Sequence, residues 1–475
     1  MTVKILPILF ILVMVLTTNS TVASEQLDAS WGKLIQGLQE AKHSLTDPAA
    51  FPPEPTDRNL AEGYRYMLAH LGRLIEMEMR LNPRYPEFYR SIDMLRKWTA
   101  ENPDTMYLKA PIDSVGYYRI TGTAANAQQW KTSERDASAP KAPRMVTFQT
   151  ITDVPGSTGR LAEMASCKNL TLDYLTSFNL EIDEKGHFTL LIGPEKPQSY
   201  SGNFLLSKRL MACPSTGKET VRHARFLSVR EIFSDWENER TLDMEIVRLD
   251  AEGENRPPLT TAEMSEKMEN IAAELPNQIK FWQLLQEVSL ENRSDVNGDG
   301  RRSMPVNNIN PPAPPFTAGG VAGAQQLYAG GIFELKQDDA LVVKVTAPKE
   351  PHYMGFQLSN EWFEGPDQQN YVSSLTGDQL PVSSDGSRYY IIAHNDPGVA
   401  GWVATTGLSK GFMSMRFIFR EDPQTNNMPQ ATATLVKVDQ LSTLLPDDTP
   451  AITPAQRRAE VSIRQSHIKA RWRGH

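Results

Sequence analysis

"NPDTMYLKAPIDSVGYYRITG" occupies residues 102–122, and its reading decides the fold. Before it the apolar residues recur at helical spacing; from about residue 103 the period changes to two. "MYLKAPID" and "GYYRITG" within the stretch, then "MVTFQTIT", "HFTLLIG" and "MEIVRL", are short β-rich runs separated by Gly, Pro, Asp and Asn turns. Runs of this kind at short intervals predict an antiparallel sandwich or barrel. A second series resumes near residue 331 with "GIFELKQ", "ALVVKVT", "RYYIIAH", "FMSMRFIFR" and "ATATLVKV". The expected class is α+β, mainly β: two antiparallel jelly-roll or sandwich-like β domains, an N-terminal helical region, and a helical segment between the two. No internal repeat is evident.

Working outward, the preceding region reads as helix. Trp31, Leu34, Ile35, Leu38 and Leu45 fall at helical spacing, and "DPAAFPPEP" (47–55) ends that helix, because proline lacks the amide donor. A second helix follows Asp57 with Tyr64, Leu68, Leu71 and Ile75 on one face, read as a core stripe. Pro86 is expected to open a third, short helix carrying Phe88, Ile92 and Leu95. Helix returns at 260–290, capped by Thr260 or Thr261, with Met264, Met268, Ile271 and Leu275 on one side. "MPVNNINPPAPPFTAGGVAG" (304–323) reads as an extended linker. These boundaries divide the chain into 25–101 helical, 102–255 first β domain, 256–330 helix plus linker, 331–440 second β domain and 441–475 basic tail.

Composition sets the class. The chain has 475 residues, 40% hydrophobic and 22% charged, which is globular composition with room for two or three domains. A net charge of -8 argues against nucleic-acid partners, since neutralising phosphates needs a basic surface. At the N-terminus Lys4 precedes the apolar run "ILPILFILVMVL" (5–16), and small residues follow at 21–24. That pattern predicts a signal peptide over 1–24, with the mature chain starting near Ser24 or Glu25 in the periplasm or outside the cell. The run is shorter than the about 20 apolar residues a comfortable membrane span needs. An oxidising compartment permits a disulfide between Cys167 and Cys213, the only cysteines; a buried free pair is the alternative. The tail is locally basic, with Arg457, Arg458, Arg464, Lys469, Arg471 and Arg473 against Glu460. A helix over 453–473, capped by Thr453 and Gln456, would present those bases to an acidic partner, to a membrane surface, or to the parent domain.

Chemistry-bearing motifs are scarce. "DVNGDG" (295–300) opens like a calcium loop, with Asp295, Asn297, Asp299 and Gly300 in place. Val306 stands where the bidentate Glu belongs, Pro305 blocks an exiting helix, and Arg301 and Arg302 add positive charge. The stretch therefore reads as a polar turn, with at most weak calcium binding near Asp295, and no metal or other cofactor is expected. There is no Walker loop, GxGxxG, HExxH, GxSxG or CxxC.

Two stretches carry more than sheet-building residues. The first is 102–122, with Asn102-Pro103-Asp104-Thr105, Tyr107, Tyr118-Arg119-Ile120 and Gly122. The second comprises 355–375 and 385–417, with Asn360, Trp362, Asp396-Pro397-Gly398, Trp402 and Gly407. Together with "VREIFSDW" (229–236), these motifs resemble a mostly bacterial family defined only as a domain of unknown function, the "DUF twelve-fourteen" group. The resemblance covers about 85–420. It implies jelly-roll-like β domains with helices and supplies no reaction or catalytic residue.

Read physically, Trp362, Glu364, His394, Asp396 and Trp402 are candidates to line one mouth of a sandwich, because flat aromatics beside carboxylates suit a sugar-like or other polar ligand. The competing reading makes the tryptophans core and Asp396 a turn cap. Two functions follow. One is an exported, non-catalytic binding or envelope-associated protein; the other is a carboxylate-dependent hydrolase or lyase using residues such as Glu364 and Asp396. Converging carboxylates in a deep pocket would favour the enzyme.

Overall fold

The computed structural model describes residues 6–132, 135–164, 167–213, 215–291, 304–314 and 325–473; side chains at 6–22, 290–291 and 472–473 lie outside the description. The stretch 295–300, read as a polar turn with at most weak calcium binding, lies outside the described residues. Helices α1 (Leu6–His43), α2 (Asp57–Arg80) and α3 (Thr261–Glu291) form one layer. The first β unit runs β1 (Tyr89–Ile92), β2 (Thr105–Pro111), β3 (Tyr118–Thr123), β4 (Met145–Ile151), β5 (Thr171–Thr176), β6 (His187–Gly193), β7 (Asn203–Leu206), β8 (Lys208–Ala212), β9 (Glu219–His223), β10 (Phe226–Ile232) and β11 (Asp243–Arg248). The second unit runs β12 (Gln325–Glu334), β13 (Asp339–Thr346), β14 (Tyr353–Ser359), β15 (Ser374–Thr376), β16 (Ser387–Ala393), β17 (Trp402–Ala404), β18 (Lys410–Phe419) and β19 (Gln430–Lys437). Helix α4 (Pro454–Arg473) closes the chain.

Each unit is a sandwich. In the first, a five-stranded sheet β1-β2-β10-β4-β5 packs on the four-stranded sheet β11-β3-β6-β7, enclosing Leu108, Ile120, Phe148, Leu190 and Leu227. In the second, β12-β18-β14-β15 packs on β17-β16-β13-β19 around Phe333, Leu341, Phe356, Tyr390 and Met413. The ladders are antiparallel except for β6/β7 and β16/β17. The fold class is thus the expected one. β8 and β9 form a separate hairpin, and the Cys167–Cys213 disulfide ties its end to the segment before β5.

The outer face of the five-stranded sheet is covered twice. The helical layer takes one end, where Tyr89, Ile151 and Phe226 meet Tyr66, Leu74, Ile271 and Leu275. The second sandwich takes the other, where Met145 and Ile232 meet Tyr353 and Ile418. The second of these contacts is the seam between the two sandwiches.

Several local readings change. The segment after Pro86 forms strand β1, because Tyr89, Arg90 and Ile92 find partners in Lys109, Leu108 and Tyr107 of β2; Leu95 is exposed. The first β unit therefore starts inside the region read as helical. α3 is a third member of the helical layer, packed on α1 and α2, and no mere connector. Most of all, α2 is turned over. Its expected core stripe is exposed at Tyr64 (44%), Leu68 (58%) and Ile75 (43%), and only Leu71 reaches the core as a partly buried residue. The buried face carries Tyr66, Met67, His70, Arg73, Leu74 and Met77. Trp31 and Ile35 of α1 also face outward, while Leu45 is buried.

The tail helix has the expected capping box: the Gln456 amide donates to Thr453 Oγ1 at 3.3 Å, and the Thr453 amide donates to Gln456 Oε1 at 2.9 Å. Its arginines at spacing seven turn inward. Arg457 grips Asp396, Arg464 donates to the Gln368 and Ser374 carbonyls at 2.9 Å each, and Arg471 donates to the Pro103 carbonyl at 2.8 Å. Ile468 joins the first core and Val461 packs on the second, so α4 clasps both sandwiches. Of the uses expected for the basic helix, the structure shows docking on the parent domains, with three of its bases engaged within the chain.

Candidate functional site

A concavity of about 420 Å³ lies on the outer face of sheet β11-β3-β6-β7. Period-two alternation builds it. On β3, Tyr118 and Ile120 point into the core, which leaves Thr121 and Thr123 facing out. On β6, Phe188 and Leu190 are buried, and His187 and Thr189 are exposed; on β11, Met244 and Ile246 are buried, and Asp243 and Glu245 are exposed. Register then aligns the outward side chains into two rows across the strands. Asp243 lies opposite Thr123 and Thr123 opposite His187; Glu245 lies opposite Thr121 and Thr121 opposite Thr189. Neighbouring strands stand about 4.8 Å apart, so each row offers oxygens at a spacing that hydroxyl groups of a polyol can match.

The rim is a tight turn. Asp183 Oδ1 accepts from the Lys185 and His187 amides at 2.8 Å each, and its Oδ2 lies 3.1 Å from His187 Nδ1. The His187 amide and ring hold the Asp183 carboxyl below the usual carboxylate range. Gly186 permits the turn: its φ is 84°, and a Cβ there would stand 2.1 Å from the Ala124 carbonyl oxygen. Beneath the floor, Gly122 makes room for the Phe188 ring, which a Cβ would approach to 2.4 Å. The glycine of "YRITG" therefore shapes the floor, while its threonine points into the concavity.

None of the five residues singled out from sequence lines this concavity, and they do not form one mouth. Trp362 and Glu364 are buried where α2 meets the second sandwich. Trp362 is 2% exposed, stacks on Tyr66 with centroids 5.3 Å apart, and donates from Nε1 to the Asn59 carbonyl at 2.9 Å. Its ring lies against Gly63, where a Cβ would stand 2.6 Å away. Glu364 is fully buried and paired with Arg65. Burial, with Arg65 opposing and buried Glu101 reinforcing, pushes its carboxyl up to about 7.

His394, Asp396 and Trp402 sit on the second sandwich, the latter two against Arg457 of α4. His394 Nδ1 is 2.8 Å from Thr405 Oγ1. Asp396 caps its turn by accepting from the Gly398 amide at 2.9 Å and also holds Arg457, whose guanidinium lies 5.1 Å from the Trp402 ring. Trp402 Nε1 donates to the Ala393 carbonyl at 3.0 Å. Aromatics and carboxylates near each other in sequence are here used to join layers. The signal for the concavity was the polar half of the alternation in "RITGT", "HFT" and "DME", which is also what any solvated sheet face shows.

The family-like motif 102–105 likewise marks a junction. Asp104, 1% exposed, accepts from Tyr353 Oη at 2.6 Å and from Trp236 Nε1 at 3.1 Å. Arg471 of α4 stacks over Trp236 at 4.6 Å. One carboxylate thus joins both sandwiches beside the tail.

No family model matches the chain, and no curated protein matches it. Among solved structures, the chain is similar to an uncharacterised protein from Burkholderia cenocepacia, at 22% identity and a TM-score of 0.66, covering 88% of this chain and 99% of that one. A Vibrio parahaemolyticus protein is matched over 78% of this chain and 98% of that one, at 13% identity and a TM-score of 0.37. The first likeness establishes a shared fold.

Proposed function

We propose that this is an exported, non-catalytic binding protein whose ligand is a small polyhydroxylated molecule held in the concavity of the β11-β3-β6 face. The observation that carries the reading is the pair of aligned rows, Asp243–Thr123–His187 and Glu245–Thr121–Thr189, inside a concavity of about 420 Å³. That volume lies in the range of small-molecule sites. Carboxylates accept from ligand hydroxyls, and threonines donate and accept. The apolar run at 5–16 and the Cys167–Cys213 disulfide support export, since disulfides persist in oxidising compartments. Membership of the family resembled at 102–122 and 355–417 is part of the same proposal; its support is that Asn102, Asp104, Trp236 and Trp362 serve as junction residues.

The hydrolase or lyase alternative rests on Glu364, whose raised pKa is a property catalytic acids share. Its full burial and its Arg65 partner favour a structural role. Among the described residues no helix is long and apolar enough to cross a membrane.

The test is calorimetric titration of the mature protein with mono- and oligosaccharides, in parallel with Glu245→Gln and Thr121→Val. Saturable binding by the native chain, weakened at least tenfold in both variants, is the expected result. Binding that both variants retain would move the site elsewhere. Mass spectrometry of the extracytoplasmic protein should find an N-terminus near Ser24 or Glu25; intact Met1 would refute export with cleavage.

A further inference from the structure

Helix α2 turns an apolar face to solvent. Tyr64, Leu68, Ile75 and Met79 are exposed on it, Ala61 joins them, and Leu71 lies between this face and the core. The positions 61, 64, 68, 71 and 75 alternate in steps of three and four, and Met79 follows four later. That is the apolar pattern of a helix packed lengthwise against another helix. With a rise of about 1.5 Å per residue the stripe is about 27 Å long. The helix is held in its layer by the far side, at Tyr66, Arg73, Leu74 and Met77, so the stripe is surplus to that packing. Single exposed leucines are ordinary, whereas a continuous apolar stripe marks a contact surface.

The two edges of the stripe differ. At about 3.6 residues per turn, one edge carries Met67, Leu74 and Glu78, all buried against the layer. The other carries Arg58, Glu62, Arg65, Glu76 and Arg80. The charges on that edge are mirrored with opposite sign about Leu71. Glu62 lies nine residues before Leu71 and Arg80 nine after; Arg65 lies six before and Glu76 five after. A two-fold axis beside Leu71, perpendicular to the helix, reverses its direction and lays this edge along the same edge of a second copy. Glu62 of each chain then faces Arg80 of the other, and Arg65 faces Glu76. Within one chain Arg65 already pairs with Glu364, Glu62 with Arg58, and Glu76 with Arg80, so the cross pairs extend existing networks. Rim pairs of this kind contribute little energy and mainly set orientation. A parallel copy would lay the charged edge against Met67, Leu74 and Glu78, which offer no matching row.

The same axis fits the apolar residues. It seats Leu68 of one chain between Leu71 and Ile75 of the other, and Tyr64 against Ile75 and Met79. We propose that this face binds a second copy of the chain, in a two-fold dimer built on antiparallel α2 helices. One self-complementary surface suffices for such a contact.

The proposal is independent of the sugar-binding reading, which concerns the outer face of β11-β3-β6. The mass of the mature protein in solution is measured by light scattering over a range of concentrations. Twice the chain mass is expected for the native protein and a single chain mass for Leu68→Glu, whose exposed position accepts the charge in a monomer. Cys167 and Cys213 are joined, so an added cysteine is the sole free thiol. A short thiol crosslinker should join Leu71→Cys to its copy at the axis. Met79→Cys should stay unjoined, since eight residues on either side of the axis put those thiols about 24 Å apart. Crosslinking of Met79→Cys would make the helices parallel and overturn the arrangement. A single chain mass at every concentration would overturn the proposal, and so would a dimer that survives Leu68→Glu. Monomers that bind phospholipid vesicles through Leu68 would overturn it as well, by giving the face to a membrane.

Discussion

The outer face of β11-β3-β6 and the seam between the sandwiches are both polar sheet surfaces, and they use polarity in opposite ways. On the outer face Asp243, Glu245 and His187 stand in water, so their charges are screened and little of the fold depends on them. In the seam and its flanks Asp104, Glu101, Glu364, Lys97 and Lys109 are almost wholly buried. There each charge must be matched by a hydrogen bond or an opposite charge, since desolvation is costly. Glu101 accepts from the Gly365 amide at 2.8 Å, and Lys97 donates to the Pro366 carbonyl at 2.8 Å, which fixes the 360–366 loop against the first unit. The comparison teaches that the same residue types are left to solvent, with little structural duty, where they are wet, and serve domain cohesion where they are dry.

The strongest way to break this contrast is at Asp104. Asp104→Ala strands the Trp236 indole N–H, leaves the Tyr353 hydroxyl with Asn102 as its remaining partner, and removes negative charge facing Arg464 and Arg471. A loss of about 3–5 kcal/mol in denaturant unfolding is expected. Asp104→Asn, which keeps an acceptor for Trp236, should cost less. A loss below about 1 kcal/mol for the alanine variant would show that the junction does not depend on this carboxylate.

Next comes the pH dependence at Glu364. Its folded pKa is raised to about 7 from the usual 4.5. Below pH 4.5 both states hold the proton. As pH rises toward 7 the unfolded chain releases it while the folded chain keeps it, so stability falls across that window. Glu364→Gln removes the proton and with it this loss. The variant should therefore gain on the native protein as pH is raised from 5 to 7.5, by at most about 1.4 kcal/mol per pH unit. Parallel stability curves would mean that Arg65 keeps Glu364 ionised throughout.

The smallest expected effect is on the wet face. Glu245→Gln and Thr121→Val should each shift stability by no more than about 0.5 kcal/mol, since both residues are exposed and bury no partner. Destabilisation of several kcal/mol in either would show the outer face to be structural and dissolve the contrast with the seam.

Much of this arrangement was legible along the chain. Alternation in "RITGT" and "MEIVR" fixed strands and their inner faces together, because a strand's side chains have only two directions and the apolar set selects one. Capping at Thr453 and Gln456 is local chemistry and was equally readable. Helix α2 was not. Its Tyr64–Leu68–Ile75 stripe marks an apolar face, but periodicity says nothing of which face meets a partner, and the buried face carries His70 and Arg73 instead. Segment 89–92 became a strand because β2 offered it an edge, which no local propensity could announce.

By itself, then, the sequence determined the class, the two β units and the in-out sense of their strands, since these depend on neighbours one or two residues away. Only the tertiary structure decided what the polar residues do. Trp362, Glu364 and Asp104 draw their roles from Asn59, Arg65, Tyr353 and Trp236, distant along the chain. Arg230 and Arg416 lie on different sandwiches and line one crevice only because the two units dock. Burial and charge pairing are set by such contacts, and burial is what turns an ordinary carboxylate or guanidinium into a structural tie.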